Sequence, residues 1–150
     1  MIQDQTTVKG KVIFVLTGPD GKVKEKREHD NLVTTAGKGY IAARMKNDSG
    51  TTAIMSHMEV GTDNTAAAVG DTTLVAAVAA SRTGLTSTTV STNTVTYACT
   101  FGAGVGTGAL VEAGVFNDAT TGTLLCRTVF SIINKGASDT LTISWVITVS

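Results

Sequence analysis

Charge is scarce in this chain, and so are the residues that build reaction centres. Of 150 residues, only 16% are Asp, Glu, Lys or Arg, well below the roughly 25% of an ordinary globular domain. There are two histidines, two cysteines, one tryptophan and one proline, and aromatics make up 5%. With only two histidines, His29 in the charged hairpin and His57 on a short strand, no Ser-His-Asp arrangement is read from the sequence. Cys99 and Cys126 are far apart and lack metal-ligand spacing, so the reading is two buried free thiols, with a cross-strand disulfide as the alternative. Few aromatics and lysines interleaved with Glu25, Glu28 and Asp30 argue against nucleic acid as a partner. No apolar run approaches the ~18–20 residues of a membrane-spanning helix. The first residues, Met1 to Thr7, lack a basic stretch followed by an apolar one, so a protein made in a cytoplasm is expected.

What the chain has instead is threonine, its commonest residue, on strands. In the closing run Thr140–Val149, Leu141, Ile143, Trp145, Ile147 and Val149 alternate with Thr140, Thr142, Ser144 and Thr148, interrupted only by Val146. Side chains on a strand alternate between faces, so this is an apolar face on a core and a hydroxyl face towards solvent or a partner. Residues 94–101 repeat the pattern, with Val95, Tyr97, Cys99 and Phe101 on the apolar side. Hydroxyls can be desolvated against a partner without moving an ion out of water, which suits an assembling protein.

The remaining elements follow in order. Residues 7–17 read as a first strand, Gly18-Pro19-Asp20-Gly21 as a turn, and residues 22–28 as a return strand whose lysines guard a sheet edge. Residues 31–46 are the one helix, capped by Thr34 or Thr35, ended by residues 47–50, with Val33, Tyr40, Ile41 and Met45 on its buried side. Gly37 and Gly39 weaken it unless it presses close to a sheet. Residues 54–60 form a short strand, 61–73 a loop, and 74–80 either a strand or a helical turn. Residues 82–90 are extended, and residues 91–93 turn the chain into the strand at 94–101. A glycine-dense link, 102–108, leads to strands at 110–116 and 123–133, which form a meander with the closing strand. The fold expected is mainly β, an antiparallel sandwich or barrel with an N-terminal hairpin and one short helix. The chain divides into an arm and hairpin (1–30) and a sandwich domain (31–150) within one compact unit. Tyr97, Cys99, Phe101, Phe116, Phe130 and Trp145 are its expected core.

Charge is unevenly spread: residues 1–46 hold nine basic and five acidic side chains, residues 47–150 three and seven. Lys9, Lys11, Lys22, Lys24, Lys26 and Arg27 make the hairpin a candidate docking surface, beside Thr140, Thr142, Ser144 and Thr148 of the last strand. The chemical candidates are weaker. Gly104–Ala109 fits a dinucleotide fingerprint in letters, but no helix can follow it. His57 and Glu59 share a strand face but need a third convergent group to hold a metal or move protons. Glu112 interrupts an apolar strand, and it reads better as a carboxylate accepting structural hydrogen bonds than as a catalyst partnered by Asp118. No catalytic, cofactor or metal-binding residue is expected.

The order of short motifs carries a resemblance. Residues 31–42 (Asn31-Leu-Val-Thr-Thr-Ala-Gly-Lys-Gly-Tyr-Ile-Ala) are followed by Ser56–Thr62, Asp71–Leu74 and Arg82–Leu85, then Glu112–Phe116, Gly122–Leu125 and a closing strand. This series resembles tailed-bacteriophage virion structural proteins, including the particle-attachment domains at the N-termini of tail-collar fibres. The resemblance covers residues 31–150. It implies a non-enzymatic protein of the virion, made in the bacterial host, with no cofactor. It would self-associate, by the family as a trimer, and dock on the particle. Two departures matter: the chain ends at Ser150, where a fibre would continue into a shaft, and it carries the basic hairpin in front. The expected role is therefore a capsid decoration, or cement, protein bound to the major capsid protein. Its alternative is a tail, collar or neck adaptor that anchors a fibre. A glycan-binding module ranks below both, because Trp145 sits in register with the core.

Overall fold

A computed structural model describes residues 5–46 and 53–150. Ten strands and one helix occur among them: β1 (Val8–Thr17), β2 (Val23–Asp30), β3 (Leu32–Val33), α1 (Thr35–Met45), β4 (His57–Gly61), β5 (Thr83–Gly84), β6 (Ser87–Ser91), β7 (Thr94–Phe101), β8 (Gly108–Phe116), β9 (Leu124–Lys135) and β10 (Thr140–Val149). They form two five-stranded antiparallel sheets, β2-β1-β10-β7-β6 and β3-β9-β8-β4-β5, packed as a sandwich. The expected mainly-β sandwich with a leading hairpin and one short helix is the fold observed.

Alternation explains the first sheet. β1 pairs with β10 from Val8↔Val149 to Thr17↔Thr140, and β10 pairs with β7 from Leu141↔Phe101 to Thr148↔Thr94. Residues directly opposite share a face. Val12, Phe14 and Leu16 therefore join Leu141, Ile143, Trp145, Ile147, Tyr97, Cys99 and Phe101 in one buried layer. Met58, Val60, Leu110, Ala113, Val115, Phe130 and Ile133 of the second sheet close over it. Burying such a side chain contributes about 1.5–3 kcal/mol, so these two layers dominate stability. The boundary at 30/31 is not a break in the fold, since β1 lies inside the first sheet.

Four expectations need correction. β10 does not complete a meander with β8 and β9; it crosses to the first sheet and inserts between β1 and β7. The link between β9 and β10 is fixed for that crossing: Lys135 Nζ donates to Gly102 O at 2.9 Å, and Asp139 accepts from Gly136 N at 2.8 Å and from Lys24 at 3.0 Å. Residues 74–80 form neither a strand nor a helical turn, apart from a single bridge between Gly61 and Ala77. Val149 is 41% exposed because β10 runs past the end of the core. Met45 is 84% exposed, and Val33 precedes the helix as part of β3.

The reason for Met45 lies in how α1 docks. Thr34 caps the helix, accepting from Gly37 N at 2.9 Å while its own hydroxyl donates to Leu124 O at 2.7 Å. The helix then meets β9 through Gly37, where a Cβ would run into the carbonyl of Leu125. Gly39 faces open space. Close approach at the first turn leaves the last turn standing clear of the sheets. The expected stop at residues 47–50 lies outside the described residues.

Candidate interaction surfaces

The two sheets differ on their outer faces. On the second sheet that face is covered by the segment 62–82. Leu74 packs with Phe116 and Leu124, so Phe116 is buried as expected but on the far side of the sheet from the sandwich core. Beside this patch sit charges with no access to solvent. Arg127, 0% exposed, donates through Nε to Glu112 Oε2 at 3.0 Å, through Nη1 to Asp71 at 3.0 Å and through Nη2 to Thr65 O at 2.9 Å. Glu112, also 0% exposed, accepts from Ala76 N at 2.7 Å and Val75 N at 3.1 Å. Gly61 lets the segment approach, since a Cβ there would collide with Glu112 and with Ala76 O. Glu112 therefore fastens a segment to a sheet, which extends the reading of it as a structural acceptor.

The other chemical candidates are likewise engaged. Glu59 is ion-paired with Arg82, whose guanidinium lies 3.6 Å from the centre of the Phe116 ring and donates to Asp118 O and Thr121 O. His57 meets its neighbour Ser56 at 2.8 Å, and His29 lies on β2 in the opposite sheet, so the two histidines are not brought together. The Asp118 carboxylate is held by the N–H groups of Thr121 and Thr120, which lower its pKa to about 2. Among the described residues no cluster of three His, Cys, Asp or Glu could hold a metal ion. Gly104 and Gly106 take positive φ in a loop that runs into β8 and not into a helix. Cys99 and Cys126 are buried free thiols.

Over the outer face of the first sheet none of the described strands or helices packs. The registers place its residues in rows. Lys11, Val146, Thr96 and Thr89 form one; Ile13, Ser144, Ala98 and Ser87 the next; Val15, Thr142 and Thr100 a third. Thr140, Thr142, Ser144 and Thr148 are half-buried along its middle. Lys9 stands opposite Thr148 on this face, and Lys26 opposite Val15. The face is thus neutral and hydroxyl-rich across β10, β7 and β6, with charge only on the β1–β2 side. The hairpin's cations divide in use. Lys11 pairs with Glu28 at 3.1 Å, both about half exposed. Lys24 is committed to Asp139, and Arg27 pairs with Glu25 while donating to Ser131 O and Ile132 O, which ties β2 to β9. Lys9, Lys22 and Lys26 make no ion pair among the described residues and remain exposed.

At one end of the sandwich, α1 and the ends of β6, β7 and β10 enclose an open apolar groove of about 470 Å³. Met45, Ile54 (62% exposed), Val90 (70%) and Val149 all line it. The sequence reading missed this groove, as well as Arg127, Asp71 and Arg82. One signal was present: an arginine inside the apolar run 124–130 on the strand after Glu112. Comparison with known proteins adds nothing to this geometry, because no family model, curated protein or solved structure matches the chain.

Proposed function

We propose that this chain is a non-enzymatic structural protein of a tailed-phage virion, acting as a decoration protein that binds the outside of the capsid and stabilises the head. The observation that supports this most is the uncovered five-stranded face with its central Thr140, Thr142, Ser144 and Thr148. A broad, neutral, hydroxyl-bearing sheet can dock on a protein lattice with its hydrogen bonds re-formed and no ion desolvated. Lys9, Lys22 and Lys26 at its flank would steer it onto an acidic surface. Binding the assembled lattice and not the unfolded shell subunit stabilises the shell by mass action. Trp145 is wholly buried and cannot stack on a sugar ring, which weighs against glycan binding.

Quantifying the chain in purified virions tests the reading. Hundreds of copies per particle support a decoration protein. A dozen or fewer point to the tail, collar or neck adaptor, and absence from the particle overturns the virion assignment altogether. Within a decoration role, Thr142→Arg and Ser144→Arg should weaken capsid binding without changing the melting temperature, because both side chains stand on the open face.

A further inference from the structure

Sheet edges are where strands recruit other strands, and the edges of this sandwich are unequal. β3 and β5, at the ends of the second sheet, have two residues each. β2, at one end of the first sheet, carries Lys24, Glu25, Lys26, Arg27 and Glu28. Short length and charge are the usual protections of an edge. β6, at the other end, has five exposed residues, Ser87-Thr-Thr-Val-Ser91, with neither protection. From Thr83 to Val111 the sequence contains no charged residue at all.

We propose that β6 pairs antiparallel with β6 of a second copy about a two-fold axis at Thr89. The backbone is set for it. Ser91 and Thr94 close a two-residue hairpin, and alternate residues of an antiparallel ladder turn both polar groups the same way. Ser91, Thr89 and Ser87 therefore bond β7, while Thr88 and Val90 present their N–H and C=O to the free edge. Pairing about Thr89 sets Thr88 against the partner's Val90, so the outward groups of each copy meet those of the other. It sets Ser87 against Ser91 and Thr89 against itself. An isologous contact brings like residues together by symmetry, so a strand with no charge is the electrostatically complementary choice. Thr88 and Val90 also line the apolar groove, so the pairing joins the grooves of the two copies beneath one continuous sheet and covers the exposed Val90. This dyad does not depend on the virion assignment, and it is incompatible with a trimer built through the same edge.

Light scattering on the eluted protein, over a range of concentrations, should give twice the 15.4 kDa of one chain. Thr88→Pro removes an outward N–H while leaving the bonds to β7 intact, and Thr89→Lys places two ammonium groups face to face. Both should weaken the dimer at least about tenfold, with Trp145 fluorescence unchanged and melting unchanged at concentrations low enough that the unaltered chain is itself monomeric. Mixing the Thr89→Lys and Thr89→Glu proteins should restore it. A monomer at every concentration, a trimeric mass, or a dimer indifferent to both variants overturns the proposal. Loss of the dimer with Thr88→Pro alone, without recovery in the Lys–Glu mixture, also overturns the placement of the axis at Thr89.

Discussion

Replacing Arg127 by methionine tests what holds the segment 62–82 on the second sheet. The guanidinium and the Glu112 carboxylate are both 0% exposed and 2.9 Å apart at their closest. Removing the arginine leaves Glu112 in the interior without a counter-ion, and breaking one side of a buried pair costs about 3–5 kcal/mol. Asp71 and Thr65 lose a donor too, but Asp71 is 21% exposed and can turn to water, so it adds little. The double variant Arg127→Met/Glu112→Met removes the stranded charge. It then leaves the Val75 and Ala76 N–H groups without their acceptor, at about 1–3 kcal/mol for a buried donor. Val75 is itself exposed, which places this cost at the lower end. The double variant should therefore be the more stable of the two. Urea unfolding followed by Trp145 fluorescence measures the global loss. Amide exchange at Val75 and Ala76 measures local release, expected to quicken about a hundredfold for a loss of roughly 3 kcal/mol. A single-variant cost below about 1 kcal/mol, with both amides still protected, would refute the reasoning.

The two helix glycines should respond in opposite directions to alanine. Gly39→Ala gains up to about 1 kcal/mol of helix propensity, whereas Gly37→Ala drives a methyl into Leu125 O and should lose at least about 2 kcal/mol, read from paired thermal melts. Asp118 has a folded-state pKa lowered to about 2 by the Thr121 and Thr120 N–H groups. Its contribution is therefore complete above the ordinary aspartate pKa near 4 and is lost as pH falls through about 2. Asp118→Asn should remove that acid dependence, and carbon NMR titration of the carboxyl should show the low midpoint directly. Burial pushes the Cys99 thiol up to about 12 and the Cys126 thiol well above its usual range. Neither should react with a thiol reagent in the native protein at neutral pH, and both should react once it is unfolded; fast native labelling would contradict their placement in the core.

The first sheet was legible in the sequence because one of its faces is bare. In β7 and β10 every second residue is apolar with mainly hydroxyls between, and that period of two names both the strand and its inward side, whereas β1, an unbroken apolar run from Val12 to Leu16, names the strand but not the side. The second sheet hides this signal. β8 is buried from Leu110 to Phe116 and β9 from Leu124 to Thr128, so neither shows the alternation that would separate inner from outer residues. The segment 62–82 left still less trace, since it is held by Glu112, Arg127 and a bridge at Ala77, and such contacts have no period. The register also obscured the link, because Glu112 faces Val129 and is only a diagonal neighbour of Arg127, which faces Gly114. Among the candidate interface residues, the hydroxyl stripe of β10 follows from alternation. The open edge at β6 does not, because its exposure comes from standing last in the sheet order.

Charge placement joins these observations into one argument. Inside the second sheet and its cover, the buried carboxylates Glu112 and Glu59 meet the guanidiniums of Arg127 and Arg82, and the partly exposed Asp71 also meets Arg127. Such pairs add little net stability but penalise any arrangement that separates them, so they select one seating of the segment 62–82. On the first sheet the opposite holds. Charge is confined to β1 and β2 and vanishes towards β7 and β6, where the outward side chains are hydroxyls and Ala98. A surface meant only to stay soluble would gain from spreading its few charges over that face and edge. Leaving both uncharged carries an aggregation risk, and the risk is offset if the face and the edge are covered in the assembled state. The scarcity of charge in the composition is therefore local: it belongs to the part of the sandwich that no other described strand or helix covers.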